Sequence, residues 1–421
     1  MLFNDWITDD VKSVLLVEPD FPIPHKSRNH KNFLPIGLLK LAAYLRTKSI
    51  EIKLIRHQEV QSDLNQTQFE KSTFTPDLIC VTSLFTYWSK YVKEAVSFYK
   101  NKYPNVPVIV GGIYASLMPD HCKIYTNCDD VILGTVDDAE KVIPAYDLVD
   151  VDYQILHTTR GCIRRCGCCG VYDIEPVWTY KKSIKDEIVK KKLIFYDNNL
   201  LANPFVKNIL NEMIELKKQH KIGYVESQSG FDGRILLKHP EIGELLYKAG
   251  FKSPKIAWDN DLNEAQSIEK QINVLIDGGY HRKDISIFMI YNYELPYSDM
   301  EKKRVYCFKW GVQITDCRYR PLNQTFDNYS PYKHKGQTNR DYHINPNWTD
   351  EEVRKFRRNV RRHNICIRHD ADYHSTLMER KKISQDKAKE YRDLNYEQVK
   401  DLLPDAWAPK LFHKVSEKDY Y

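Results

Sequence analysis

Short apolar runs alternate with longer amphipathic stretches through the first 110 residues. Val14–Val17 (VLLV) is a continuous apolar run that stops at EPDFP, the pattern of a buried strand followed by a loop. Pro35 then stands where a helix would begin, and Leu38, Leu41, Ala42 and Leu45 recur at helical spacing. Glu51–Ile55 and Asp77–Thr82 (DLICVT) read as the next two strands, with a helix through Val92–Tyr99 after them. Val106–Val110 (VPVIV) is a fourth strand ending at Gly111-Gly112. Continuous apolar strands separated by helices predict a parallel sheet covered on both faces, a doubly wound α/β domain. Ligands of such sheets sit beyond the strand carboxyl ends, here Glu18–Pro22, Thr82–Thr86 and Gly111–Pro119.

The stretch Ile143–Asp152 reads as a linker, after which the alternation restarts. Ile155–Thr158, Leu193–Tyr196, Ile222–Glu226, Lys255–Trp258, Ile285–Ile290 and Val312–Thr315 are six predicted strands. Helical patterns such as Pro204–Lys218, Pro240–Ala249 and Ala265–Asp277 lie between them. Six such repeats fit an open, partial β/α barrel, with polar residues at the strand carboxyl ends where barrels place their chemistry. Beyond about residue 330, Thr349-x-x-Glu352 forms a capping box that opens a basic helix carrying Arg354–Arg362. The expected architecture is a doubly wound domain over 1–145, a partial barrel over 150–330, and a mostly helical extension over 331–421.

Composition narrows the class. Apolar residues make up 42% and charged residues 29% of 421, with a net charge of +6, which excludes a disordered chain and does not by itself call for an anionic partner. The start MLFNDWITDD lacks the basic and apolar regions of a signal peptide, and no run approaches the roughly 18 apolar residues that span a bilayer. The expectation is a cytoplasmic protein without a membrane partner. Neither GxGxxG nor GxxxxGK[ST] occurs, so dinucleotide and P-loop readings find no support.

Four of the ten cysteines fall within the loop TTRGCIRRCGCC, at 162, 166, 168 and 169. In a reducing compartment such crowding points to metal ligation. Cys162, Cys166 and Cys169 have CxxxCxxC spacing just after a strand. Thiolates are soft ligands, and a cubane iron–sulfur cluster normally takes four. Three on one loop would leave one iron open to a small molecule. Arg160, Arg164 and Arg165 are positioned to offset the negative charge. A closed zinc site using all four cysteines is the plain alternative, although adjacent Cys168-Cys169 would strain a tetrahedron.

With its TRG lead-in, this motif resembles the radical S-adenosylmethionine superfamily. FLPIGLLKLAAYL and VIVGGIYASLMPDH resemble the cobalamin-binding-type domain that precedes the barrel in one large subgroup; the likeness covers roughly residues 14–320. The resemblance implies a [4Fe–4S] cluster on Cys162, Cys166 and Cys169. It implies S-adenosylmethionine on the open iron, reductive cleavage to a 5′-deoxyadenosyl radical, and a flavodoxin- or ferredoxin-type electron donor. Position by position, it puts Asp197, Asn198 and Asn199 near the methionyl amino group and likens Gln228 and Asp232 to a QGGxDxR stretch. It sets Asp259 near the ribose, and Asn292 and Glu294 near the adenine and ribose edge. Gly111 and Gly112 would let a corrin tail approach the backbone.

Two departures stand out. Cys168 occupies a position that is usually aromatic. The DxHxxG stretch of histidine-ligated cobalamin domains is missing, the nearest histidine after the second strand being His57. Cobalamin then binds without a protein histidine, or the domain keeps the fold without the cofactor.

Each of these residues also has a plain reading. Asp197–Asn199 fits a turn, Gln228 and Asp232 a helix cap or loop hydrogen bond, and Asp259 and Glu294 a solvated strand end. Gly111-Gly112 fits a tight turn, and the basic helix a solvated face rather than a phosphate-binding one. At the level of function, the alternatives to a radical enzyme, methyltransferase or oxidoreductase in type, are an iron–sulfur electron carrier without turnover and a zinc-stabilised binding protein. No residue that touches the substrate is readable, and small molecule, peptide and RNA all stay open.

Overall fold

The structure is a computed structural model that describes residues 2–23, 34–56, 74–331, 333, 336–372, 374 and 384–392. His57 lies outside the described residues. The chain divides into two compact units. The first is Met1–Ser229 with Arg320–Tyr329 and Asp341–His343; the second is Gly230–Tyr319 with Ser330–Arg340 and Ile344–Tyr421.

The first unit opens with β1 (Ser13–Glu18), α1 (Ile36–Thr47), β2 (Glu51–Arg56), β3 (Leu78–Ser83) and α2 (Ser89–Lys102). β4 (Val108–Gly112), α3 (Ile113–Leu117), α4 (Pro119–Thr126) and β5 (Asp130–Ile132) follow. The five strands form one parallel sheet in the order β2-β1-β3-β4-β5. β1 is buried along its whole length, as a central strand with helices on both faces must be. Val14 and Leu16 pack with Leu38, Ala42 and Leu45 of α1, whereas Leu15 and Val17 pack with Val92, Val96 and Tyr99 of α2. Each fully buried side chain of this kind contributes roughly 1.5–3 kcal/mol. β2 alternates exposed Glu51 and Lys53 with more covered neighbours, the pattern of an edge strand guarded by charge. The strand order reverses between β1 and β3, which makes their carboxyl ends the topological switch point.

The same unit continues with β6 (Tyr153–Leu156), β7 (Thr159–Arg160), α5 (Val171–Ile174), β8 (Thr179–Tyr180), β9 (Lys192–Phe195), α6 (Val206–Lys218) and β10 (Tyr224–Ser227). β6, β9 and β10 form a parallel sheet in the order β10-β9-β6, with Phe195 level with both Leu156 and Ser227, so the three carboxyl ends align. β7 and β8 pair antiparallel, Thr159 with Tyr180 and Arg160 with Thr179, and bracket the cysteine loop.

The second unit holds α7 (Gly233–Lys238), α8 (Glu241–Ala249), β11 (Lys255–Ala257), α9 (Ala265–Asp277), β12 (Ser286–Tyr291), α10 (Tyr297–Trp310), β13 (Gln313–Arg318), α11 (Asp350–His369) and α12 (Gln385–Arg392). β11, β12 and β13 are parallel in chain order. The six strands expected after the linker are all present. The capping box of α11 forms as expected: Glu352 N donates to Thr349 Oγ1 at 3.2 Å, and Thr349 N to Glu352 Oε2 at 2.8 Å. Among the described residues no helix is long and apolar enough to cross a membrane.

Candidate functional site

The cysteine loop leaves β7 through Gly161, whose φ of +69° lies in the left-handed region. A Cβ there would stand 2.8 Å from the Val177 carbonyl and 2.9 Å from that of Glu175, so only glycine lets the loop turn against this segment. Cys162 and Cys168 are half-buried, Cys166 and Cys169 exposed. Backbone bonds shape the loop: Cys169 N donates to Cys166 O at 3.0 Å, and Arg164 N to Cys162 Sγ at 3.3 Å. None of the ten cysteines is in a disulfide. Among the described residues, no three His, Cys, Asp or Glu side chains are grouped closely enough to hold a single metal ion.

Arg160 and Arg165 have side-chain partners close to the loop. Arg160 forms a two-pronged pair with Glu140, at 2.9 and 2.7 Å, and donates to Glu175 Oε1 at 2.9 Å, so its guanidinium is spent on carboxylates rather than thiolates. Arg165 stacks over Tyr172, 4.1 Å from the ring centre. Lys40 of α1 also reaches Glu140, at 2.5 Å. Burial, and then Arg160, lower the Lys40 ammonium to about 8, against the pull of Glu140. Burial raises the Glu140 carboxyl, but Arg160 and Lys40 outweigh it and hold it below the usual range. Glu175 closes the network, accepting from Gly161 N at 2.7 Å and from Asn198 Nδ2 at 3.2 Å.

Asp197 is fully buried at the end of β9. Its Oδ1 accepts four hydrogen bonds, from the amide and hydroxyl of Thr158 at 2.9 and 2.6 Å and from those of Thr159 at 2.6 and 2.8 Å. Its Oδ2 has no hydrogen-bond partner. Burial raises its carboxyl despite those four bonds. Asn199 is also buried, and Gln228 is half-buried with its backbone N–H donating to Phe195 O at 2.9 Å. His157, at the end of β6, was not read from the sequence. It is buried with no partner at Nδ1, and burial, aided by Arg160, Lys40 and Lys181, keeps it neutral.

At the carboxyl ends of β3, β4 and β5 the floor is built from small residues. Ser83 Oγ donates to Gly111 O at 2.8 Å and accepts from Ala115 N at 3.1 Å. Ser116 Oγ donates to Gly112 O at 2.8 Å and accepts from Gly134 N at 2.9 Å. Gly112 has φ +101°, and a Cβ on it would lie 2.2 Å from Ser83 O. This floor meets the cysteine segment at two points. A Cβ on Gly170 would lie 2.8 Å from the Leu117 side chain, and one on Gly134 3.0 Å from Ile174 O.

The remaining candidates lie in the second unit. Asp232 caps α7, accepting from Arg234 N at 3.2 Å and pairing with its guanidinium at 2.9 Å. Asp259 is exposed at the end of β11. Crowding by protein atoms raises its carboxyl, against the pull of Lys303 and Arg234. Lys303 is buried, lowered to about 8 by that burial, and donates to the carbonyls of Trp258 and Asn260 at 2.6 and 2.9 Å. Asn292 is buried at φ +59° and accepts from Asn345 N at 2.9 Å, while Glu294 is exposed. In α11, Val353, Phe356, Val360 and Cys366 face inward, and Arg354 pairs with Asp350 at 2.7 Å.

Residues 31–143 match the B12 binding domain family. No curated protein matches the chain by sequence. Among solved structures, the chain is similar to the radical S-adenosylmethionine methyltransferase TsrM from Kitasatospora setae with cobalamin and [4Fe–4S] cluster bound. The TM-score is 0.57 at 14% identity, over 73% of this chain and 75% of that one. The same enzyme with tryptophan substrate and the analogue aza-SAM bound matches with a TM-score of 0.56 at 14% identity, over 72% and 73%. The chain shares its fold with that enzyme. β2 to β5 lie within the residues that match the B12 binding domain family. Of the residues to which sequence reasoning gave no role, Lys40, Glu140, Glu175 and His157 lack any local motif, whereas Thr158 and Thr159 stand in the lead-in to the cysteine loop. The partners of Lys40, Glu140, Thr158, Thr159 and Glu175 lie 14 to 100 positions away along the chain.

Proposed function

We propose that this protein is a cobalamin-dependent radical S-adenosylmethionine enzyme whose reaction is methyl transfer. On this reading residues 1–145 form the cobalamin-binding-type domain, 150–330 the barrel, and 331–421 an extension. Cys162, Cys166 and Cys169 hold a [4Fe–4S] cluster. The observation that carries the reading is the meeting of two surfaces: the cysteine segment packs, through Gly170 and Ile174, against the strand-end floor of a B12-binding-type sheet.

The residues present fit the groups the fold calls for. Three soft thiol donors share one loop, the donor chemistry of an iron–sulfur cluster with one open iron. Ser83, Gly111, Gly112, Ser116 and Gly134 are the small residues at the strand ends of the B12-binding-type sheet, the place where ligands of such sheets sit. His121 is the single histidine within 34–56 and 74–143. It lies 2.8 Å from the Tyr114 hydroxyl through Nδ1 and stacks on Tyr125. The proposal is therefore for cobalamin held without a histidine of those segments.

When bound, the cluster, S-adenosylmethionine and cobalamin supply reductive carbon–sulfur cleavage, a carbon radical and a methyl carrier, and the protein supplies position and exclusion of water. The chain's own contributions are the glycine-dependent turn at Gly161 and the Arg160 clamp at the base of the loop. Asn198, Asn199 and Gln228 of the first unit are the proposed contacts to S-adenosylmethionine. Electrons come from a flavodoxin- or ferredoxin-type donor.

The test is anaerobic reconstitution with iron and sulfide, then reduction with S-adenosylmethionine, with and without methylcobalamin. Formation of 5′-deoxyadenosine, joined by S-adenosylhomocysteine when methylcobalamin and an accepted substrate are present, is the expected outcome. A cluster-loaded protein that forms neither product with any candidate substrate would instead be an electron carrier.

A further inference from the structure

Asp197 sits where the resemblance puts a contact to the methionyl amino group, yet its bonding in the fold is already specialised. We propose that Asp197 is a positioning residue that fixes the cysteine loop on the sheet through Thr158 and Thr159, and not a contact to S-adenosylmethionine. This rests on the cluster reading given above.

One oxygen of a fully buried carboxylate gathers four donors at 2.6–2.9 Å, two amides and two hydroxyls, all from consecutive residues. Those residues stand three and four positions before Cys162. Bonds from neutral donors to an ionised acceptor are the strong kind, and a side chain holding both the amide and the hydroxyl of two successive residues fixes their backbone and rotamers together. The Thr158 carbonyl is held as well, accepting from Lys181 N at 2.8 Å and Asn203 Nδ2 at 3.1 Å. Asn203 Nδ2 also donates to Lys181 O at 3.0 Å, so Thr158 is tied at once to the end of β9 and to the strand returning from the loop. The loop therefore leaves the sheet at a register set by Asp197. The other oxygen, Oδ2, has no partner but is itself fully buried, so Asp197 presents no accessible atom to a ligand. Asn198, next to it, is half-buried and bonded to Glu175 through its Nδ2.

The experiment compares Asp197→Asn, Asp197→Ala and the double change Thr158→Val with Thr159→Val. Three readouts are taken: the alkylation rate of Cys162 in the metal-free full-length protein, iron bound after reconstitution, and S-adenosylmethionine affinity. Asn keeps an oxygen for the four donors and changes only the other atom. Asp197→Asn keeps a neutral acceptor for the four donors, so it is expected to fall between wild type and Asp197→Ala in alkylation and iron binding while S-adenosylmethionine affinity stays within about twofold of wild type. Asp197→Ala is expected to alkylate about tenfold faster, as loss of such bonds opens a segment locally, and to bind less than about a third of the iron. The double change removes the two hydroxyls without altering Asp197 and is expected to shift the same two readouts in the same direction.

An Asp197→Asn protein with full iron and about tenfold weaker S-adenosylmethionine binding would make Asp197 a ligand contact and overturn the proposal. So would wild-type alkylation in both Asp197→Ala and the double variant. A wild-type protein that takes up no iron would instead defeat the cluster reading; the alkylation rates would then still decide the role of Asp197.

Discussion

Gly112 shows how a single residue carries two readings that only the fold separates. From the sequence it is either a tight turn or a place for a cofactor to approach. In the structure it is the last residue of β4, at φ +101°, with Ser83 O lying 2.2 Å from where a Cβ would stand. Strand-to-strand approach therefore accounts for the glycine whatever binds above it. Gly112→Ala combines an unfavourable φ with a clash against backbone that cannot yield. It should destabilise the protein by about 2–4 kcal/mol, read as a lowered melting temperature of the metal-free protein; an unchanged melt would disprove the close approach. Gly111, where a Cβ would meet only Ile132 at ordinary contact distance, should tolerate alanine far better. The candidate cysteine ligands were legible because their spacing is local. The partners of Asp197 and Arg160 were not, because a side chain's hydrogen bonds across a sheet leave no mark on the order of residues.

Elements were legible where burial follows period. Ala265–Asp277 is a helix over the range read from its pattern, and the apolar runs mark ten of the strands to within a few residues. β5, β7 and β8 escaped, being two or three residues long. α10 was not read either, for a different reason: it buries Glu301, Lys303 and Arg304. Arg304 pairs with Glu301 at 2.9 Å, Asn359 donates to the same carboxylate at 3.1 Å, and Lys303 is satisfied by carbonyls. Buried charges paired in this way erase the apolar stripe that sequence reading looks for.

α11 also carries an acid-sensitive contact. His363 is buried, lies 2.8 Å from Val312 O through Nε2, and is lowered to about 3 by burial. The unfolded chain takes up this proton near 6.5 and the folded protein only near 3, so between those values the unfolded state binds more protons and stability falls as pH falls. Asp316, raised to about 6 by burial, works in the opposite sense between 3.8 and 6, because its folded form holds a proton that the unfolded chain has released. His363→Gln should thus flatten the melting temperature against pH between about 6.5 and 3, and a variant as acid-labile as wild type would contradict the role of His363.

At the scale of the whole molecule, the chain repeats one device, a parallel sheet whose carboxyl ends carry the polar residues. The order β2-β1-β3-β4-β5 sets a switch point in the first sheet, and β10-β9-β6 aligns its ends beside the cysteine loop. Between them, the Lys40–Glu140–Arg160–Glu175 network joins α1 to the base of that loop. The class of fold was readable because strand burial is written in continuous apolar runs. The packing of Gly170 and Gly134 that brings the cysteine segment to the B12-binding-type sheet was not, since it depends on the absence of side chains.

The measurement that bears most directly on the central claim is the iron and sulfide content of the anaerobically reconstituted full-length protein. It is taken beside the triple change Cys162→Ala, Cys166→Ala and Cys169→Ala. About four irons and four sulfides per chain in the wild type, and almost none in the triple variant, are predicted for a cubane cluster on these three thiolates. One tightly held zinc per chain with no iron, or iron retained in full by the triple variant, would contradict it.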